Sequence, residues 1–140
     1  MERTFLMIKP SAVAQGLVGE ILSAVERAGL RVVTVASRTL TPDEARGIYD
    51  VHADKPFFEP HIHFVTSGIS VGVILEAPDA VGRLRAIVGA TDPAEAHPGT
   101  LRASYGRSIR ENAVHAADSP ERFVHESAIY FGDGSGVETA

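Results

Sequence analysis

Ile69-Ser70-Val71-Gly72-Val73-Ile74-Leu75 is the most strand-like stretch of the chain, apolar almost throughout, with a glycine that lets a neighbour approach closely. Upstream of it, Thr41-Pro42-Asp43-Glu44 opens a helix: Thr41 caps, Pro42 takes the first helical position and Glu44 completes a capping box. That helix is expected to reach about His52. Lys55-Pro56-Phe57-Phe58 interrupts it, and a second short helix follows from Phe57 to Val65, ending at Ser67-Gly68. Further back, Leu30 to Leu40 carries Val32, Val33 and Val35 and favours a strand. Leu17, Val18, Ile21, Leu22, Val25 and Ala28 recur at helical spacing, closed by Gly29. The run Thr4-Phe5-Leu6-Met7-Ile8, stopped by Lys9-Pro10, reads as a buried strand that ends on a lysine. Downstream, a helix from Pro78 to Val88 places Ala80, Val81, Leu84 and Ile87 on one face. Periodicity then fades from Gly89 to Asn112, an excursion of a length that is usually functional. Ala113-Val114-His115 makes a short last strand, and Ser119-Pro120-Glu121 starts a helix through about Ala128.

The order is strand, helix, strand, helices, strand, helix, loop, short strand, helix. It suits the α+β class: a ferredoxin-like split βαβ, a four-stranded antiparallel sheet with helices packed on one face. A length of 140 residues with 44% hydrophobic and 22% charged side chains fits one domain, expected over residues 1–131. Residues 132–140, opening Gly132-Asp133-Gly134-Ser135-Gly136, read as a flexible tail. Cysteine is absent, which excludes a disulfide framework, a thiolate metal site and a cysteine nucleophile. The net charge of −5 argues against coating nucleic acid. The opening apolar run is too short for a signal peptide or a membrane span, so a cytoplasmic location is the expectation.

No glycine-rich phosphate loop surrounds Lys9, so any phosphate binding has to use side chains. The chain has 11 arginines and two lysines, Lys9 and Lys55. Lys9, Arg85 and Arg102 fall at a strand end, on a helix face and in the long excursion; singly, each reads as an ordinary surface charge. His115 reads on position alone as a partly buried histidine satisfied by a carbonyl, or chemically as a nucleophile. A neutral imidazole offers a lone pair without a general base, and Ala116 and Ala117 leave room beside it. His61 and His63 fall on a helix at a spacing that diverges, which disfavours a metal site. Phe57-Phe58 reads as one core anchor plus one surface contact, and Glu126 as a solvated charge.

Taken together, the segments Glu2 to Pro10, Gly16 to Ile21, Lys55 to Phe58, Gly89 to Pro93, Pro98 to Arg102 and Asn112 to Ser119 closely resemble the nucleoside diphosphate kinase family, over about Met1 to Phe131. The resemblance implies reversible ping-pong transfer of the terminal phosphate from a nucleoside triphosphate to a nucleoside diphosphate through a phosphohistidine. It implies Mg2+ carried by the nucleotide and no metal held directly by the protein. His115 would be the nucleophile and Glu126 would orient its ring. Lys9 would approach the sugar and the transferred phosphate, with Tyr49 near the lysine and histidine. Arg85, Arg102 and Thr91 would meet the phosphates, Asn112 the sugar hydroxyls and Phe57 the base. ATP, GTP and other nucleotides are the implied partners, with assembly as a homo-oligomer, a hexamer or a tetramer of dimers.

The sequence departs from the family pattern at several points. Ser11-Ala12 replaces Asp-Gly after the Lys-Pro pair. Ala116-Ala117 stands where Gly-Ser is common, removing a hydroxyl beside the histidine, a change expected to cost about tenfold at most. Arg102-Ala103-Ser104 and Arg110-Glu111 alter the excursion, and His61 replaces an aliphatic residue near Phe57. An alternative from another class is a family member that binds nucleotide or a protein but has weak or lost catalysis. A ferredoxin-like regulatory domain would leave the cations and His115 unexplained.

Overall fold

The computed structural model describes residues 1–132. Four strands, β1 (Glu2–Ile8), β2 (Arg31–Arg38), β3 (Ser70–Ala77) and β4 (Val114–Ala116), form one sheet in the order β2-β3-β1-β4. Every neighbouring pair is antiparallel. The helices are α1 (Pro10–Ala14), α2 (Val18–Arg27), α3 (Pro42–Ile48), α4 (Phe58–Val65), α5 (Ala80–Val88), α6 (Leu101–Tyr105) and α7 (Pro120–Phe131). β1 and β2 both pair with β3, the split βαβ expected from the element order.

The helices cover both faces of this sheet rather than one. Leu6 and Ile8 pack with residues of α1, α2, α5 and α6, while Phe5 and Met7 pack with α3, α4 and α7. That two-sided cover is the physical reason β1 and β3 read as continuous apolar runs. Register then places the chemistry. Met7 stands opposite Gly72 on one side and His115 on the other, so His115 belongs to the α3/α4/α7 face. On that face Gly72 lies under Tyr130, whose ring a Cβ at position 72 would overlap. The Tyr130 hydroxyl donates to the Ser70 carbonyl at 3.1 Å. This contact seats α7, which carries Glu126 one turn earlier.

Several local expectations hold. The Thr41 capping box is formed in both directions, and the Ser119 hydroxyl accepts from the Arg122 N–H at 3.1 Å. Phe58 is buried and Phe57 is 48% exposed. Others change. The helix expected to reach His52 stops at Ile48, and a 3-10 turn takes Asp50–His52. The reason lies in α7: Arg122 and His125 bond the Ile48 and Gly47 carbonyls, which a continuing helix would have used itself. The excursion from Gly89 to Asn112 contains a 3-10 turn at Pro93–Glu95 and the short helix α6, capped by the Thr100 hydroxyl. Pro10–Ala14 adds a helix the apolar spacing did not reveal, started by Pro10 at its first turn. Beyond Gly132 the expected tail lies outside the described residues. No helix among the described residues is long and apolar enough to cross a membrane.

Candidate active site

β4 delivers His115 from a tight turn. The Val114 N–H donates to the Asn112 carbonyl at 3.0 Å around Ala113, whose φ of 76° lies in the left-handed region. This is a γ-turn, and a non-glycine residue there costs about 1–3 kcal/mol, so surrounding contacts must hold it. They do: the Lys9 N–H donates to the Ala113 carbonyl at 2.9 Å, and Arg102 Nη2 donates to the Val114 carbonyl at 2.9 Å. The turn's strain is thus tied to two of the cations expected at the site.

The His115 ring stands edge-on to Tyr49, with centroids 5.0 Å apart, and tilted against Phe5 at 6.1 Å. Its Nε2 lies 2.7 Å from Glu126 Oε1. Glu126 is 3% exposed, so the solvated reading of this residue is overturned. α7 turns it inward on the same stripe as Phe123, Ser127 and Tyr130. A carboxylate only accepts hydrogen bonds, so Nε2 carries the proton and the lone pair sits on Nδ1. The other carboxylate oxygen, Oε2, accepts from Arg122 Nε at 3.0 Å.

His115 opens on a cleft of about 740 Å3 that is also lined by Lys9, Tyr49, Phe57, Arg85, Thr91, Arg102 and Asn112. Of the nine residues expected at the site, all but Glu126 line it directly, and Glu126 touches His115 from behind. Lys9 Nζ donates to Asn112 Oδ1 at 2.8 Å, and burial, helped by the Arg102 charge, pushes its pKa down to about 7. Arg102 Nη1 donates to the Gly89 carbonyl at 3.1 Å; burial, helped by Arg85, lowers it to about 10, still charged at neutral pH. Arg85 pairs with Asp118 at 2.9 Å. Asn112 is committed at both ends of its amide: Oδ1 to Lys9 and Nδ2 to the Thr91 carbonyl at 3.0 Å. Thr91 itself is exposed on the cleft. The Tyr49 hydroxyl is buried without a hydrogen-bond partner, and burial, with the Glu126 charge, raises its pKa far above the ordinary value. It therefore stays protonated, a donor in reserve.

The cleft holds further residues outside the nine expected at the site. Ile109 is an exposed apolar side chain in the excursion, on the same cleft as Phe57. Arg110 adds a fourth cation. His61 on α4 stands edge-on to Tyr49 at 4.6 Å; burial first, then Lys9 and His115, lowers its pKa to about 3, so it is neutral. His63 points elsewhere on the same helix and is exposed. Lys55 is exposed, as expected of a surface charge. Behind the cleft, Arg122 stands four residues before Glu126 on one helix, a spacing that pairs opposite charges.

The nucleoside diphosphate kinase family model matches residues 2–135. A nucleoside diphosphate kinase of Desulfovibrio desulfuricans is 47% identical over 131 residues, covering 94% of each chain. One from Kosmotoga olearia is 46% identical over 131 residues, 94% of this chain and 89% of that one. Among solved structures, the Aquifex aeolicus nucleoside diphosphate kinase superposes with a TM-score of 0.92 at 37% identity, covering 99% of both chains. The apo enzyme of Encephalitozoon cuniculi gives 0.93 at 32% identity, over 95% of this chain and 90% of that one. A two-sided antiparallel sheet, a histidine held from behind by a buried carboxylate and a cationic cleft before it accompany these likenesses, and the chain belongs to the nucleoside diphosphate kinase family of phosphotransferases.

Proposed function

We propose that this chain moves the terminal phosphate of a nucleoside triphosphate to a nucleoside diphosphate, with Nδ1 of His115 as the carrier. The observation that supports it most is the division of labour on one imidazole: Nε2 is fixed by Glu126, and Nδ1 is left for the cleft. The Nδ1 lone pair attacks the γ-phosphorus as the bond to the β,γ-bridging oxygen breaks, and the diphosphate leaves with that electron pair. The ring becomes cationic, and Glu126 stabilises it through the Nε2 proton, as the third group behind an activated nucleophile does. In the second half-reaction a terminal oxygen of the acceptor diphosphate attacks phosphorus, the P–N bond breaks and the lone pair returns to Nδ1. Lys9, Arg85 and Arg102 meet the phosphate oxygens, so catalysis is mainly positioning and charge stabilisation.

Asn112 exchanges a protein contact for the sugar hydroxyls, Thr91 contacts the phosphates, and the base stacks on Phe57 with Ile109 as a second apolar surface. A face contact carries little base identity, which supports a broad nucleotide preference. Among the described residues no three His, Asp or Glu gather to hold a metal. The cleft's acidic side chains are Glu111 and Asp118, the latter paired with Arg85. This donor set fits Mg2+ that arrives on the nucleotide, where it neutralises part of the phosphate charge. The edge strand β2, with Val35 exposed, supports a homo-oligomer, a hexamer or a tetramer of dimers.

Initial rates with a triphosphate donor and a different diphosphate acceptor are expected to give parallel double-reciprocal lines. Phosphoenzyme freed of nucleotide should pass its label to added GDP. Intersecting lines and an inert phosphoenzyme would favour direct transfer in a ternary complex.

Lys9 gives a pH prediction. With a pKa near 7 it is largely neutral at pH 8, and a polyphosphate beside it favours the ammonium form. Nucleotide binding at pH 8 therefore takes up a proton, and affinity falls as pH rises through 7 and above. Calorimetry of ADP binding in two buffers of different ionisation heat should show that uptake, and the Lys9→Met variant should abolish it. Equal heats in both buffers for the parent would contradict the assignment.

A further inference from the structure

The catalytic histidine is held by a carboxylate that is itself held. Glu126 is almost fully buried, and a buried carboxylate with one free oxygen is costly unless that oxygen finds a strong donor. Ala117, beside the histidine, has no side-chain donor to give. The donor is Arg122, one helical turn before Glu126 on α7, and its guanidinium makes three contacts. Nε donates to Glu126 Oε2 at 3.0 Å, Nη2 donates to the Ile48 carbonyl at 2.9 Å, and Nη1 pairs with Asp50 at 2.9 Å. His125 reinforces the clamp, with Nε2 lying 2.8 Å from the Gly47 carbonyl and 3.3 Å from Asp50. Ile48 and Asp50 flank Tyr49, the ring that stands edge-on to His115. One planar fork thus locks both the carboxylate behind the imidazole and the backbone that presents the ring beside it.

We propose that Arg122 is a positioning residue of the phosphotransfer site, fixing Glu126 and the Tyr49 segment so that His115 keeps its Nε2 proton on the carboxylate and Nδ1 toward the cleft. The proposal rests on the phosphohistidine reading given above. Its second consequence is electrostatic. With Arg122 in place, the Glu126 charge is shared between a permanent cation and the imidazole; without it, the full negative charge acts on His115 and favours the imidazolium, which has no lone pair to offer. The other ionisable groups around His115 are Tyr49 at the end of α3, His52 in the 3-10 turn, His61 on α4, Lys9 after β1, Arg85 on α5, Arg102 on α6, Arg110 and Glu111 in the excursion and Asp118 beyond β4. Among the described residues, the side-chain hydrogen bonds of Glu126 are to His115 and Arg122, so Arg122 is the charged group that shares the carboxylate with the imidazole.

The test compares Arg122→Gln with Arg122→Lys. The glutamine variant keeps a polar amide near the position of Nε but loses the charge and the fork; the lysine variant keeps charge without the fork. In Arg122→Gln, kcat at pH 7 should fall about tenfold with KM within about twofold. The acid limb of its pH profile should move up by about half to one pH unit, so that activity recovers at alkaline pH. Arg122→Lys should keep the parental acid limb while losing part of kcat through looser geometry. In a Glu126→Gln background the Arg122→Gln change should no longer move the acid limb, because its electrostatic route through the carboxylate is gone, and should keep only the part of the kcat loss that comes from the Tyr49 segment. Parental kcat and pH profile in both variants, or an even fall across all pH in Arg122→Gln, would overturn the proposal. Rapid labelling of the parent by radiolabelled ATP keeps this separate from the underlying reading: a parent that never labels sinks the phosphohistidine itself, whatever Arg122 does. If Arg122→Gln does not fold, the lysine variant decides, since parental kcat in it would show the fork dispensable for positioning.

Discussion

The His115→Ala protein is expected to fold, to bind nucleoside diphosphate and to transfer phosphate about 10^4-fold or more slowly than the parent. The loss is large because no neighbouring group can replace the nucleophile: Tyr49 is buried and held protonated, and His61 lies beyond it on α4. The fold should survive because the imidazole is partly exposed and its neighbours Ala113, Ala116 and Ala117 already form a small-residue setting. Removing the ring leaves Glu126 still paired with Arg122, so no lone buried charge results. The stability cost is that of one hydrogen bond to a charged group plus some packing, about 1.5–3 kcal/mol. A coupled assay for diphosphate turnover and calorimetry of ADP binding measure the two halves. A variant that turns over within tenfold of the parent would remove His115 from the mechanism. A parent that binds ADP but never turns over would instead support the reading of a nucleotide-binding relative with lost catalysis.

Arg102→Ala should damage stability and activity together. The guanidinium is buried and bonds the Gly89 carbonyl, where the excursion leaves α5, and the Val114 carbonyl, next to His115. Truncation leaves two carbonyls without donors and frees the strained turn at Ala113, a loss of about 2–4 kcal/mol, or roughly 6–15 °C in Tm. It also removes one of the cations meeting the transferred phosphate, for which a fall in kcat of about 10^2- to 10^3-fold is expected. Thermal denaturation and steady-state kinetics read both. The two effects separate by saturating nucleotide, which should restore Tm in part but not kcat. A variant with parental Tm would contradict the bracing role, and one with parental kcat would contradict the phosphate role.

The architecture was legible where local chemistry and burial agree. Thr41 with Pro42 and Glu44, and Ser119 with Pro120, are start signals written entirely within one turn, and both helices begin there. The apolar runs at Phe5 to Ile8 and Val71 to Leu75 gave the strands, although they did not reveal that helices cover both faces. The helices Pro10–Ala14 and Leu101–Tyr105 carry no such signal, because five residues are too few to show a period. The end of α3 carries none for a different reason, since its last carbonyls are taken by side chains more than 70 residues away.

At the site, His115, Lys9, Arg85 and Arg102 are ordinary side chains when each is read alone. Only their joint resemblance to a family gathered them before the fold did. Glu126 shows the limit most sharply: its place on α7 alone suggests solvent, the resemblance alone sets it behind the histidine, and the packing of that helix against β1 and β3 is what turns it there. Arg122 lies i, i+4 from Glu126, a spacing that alone would only suggest a surface ion pair. Its grip on Ile48 and Asp50 depends on how α3 and α7 lie side by side, which no local pattern records.

One histidine carries the phosphate in this proposal, and on one particular nitrogen. Phosphoenzyme made with ATP and Mg2+, freed of nucleotide and kept alkaline, can be mapped by peptide mass spectrometry and typed by phosphorus NMR against the two phosphohistidine isomers. A single phosphoryl group is expected on His115, at Nδ1, stable in alkali and lost in acid. Phosphate on Nε2 of His115 or on any other residue, or ADP binding with no covalent phosphate at all, would contradict it.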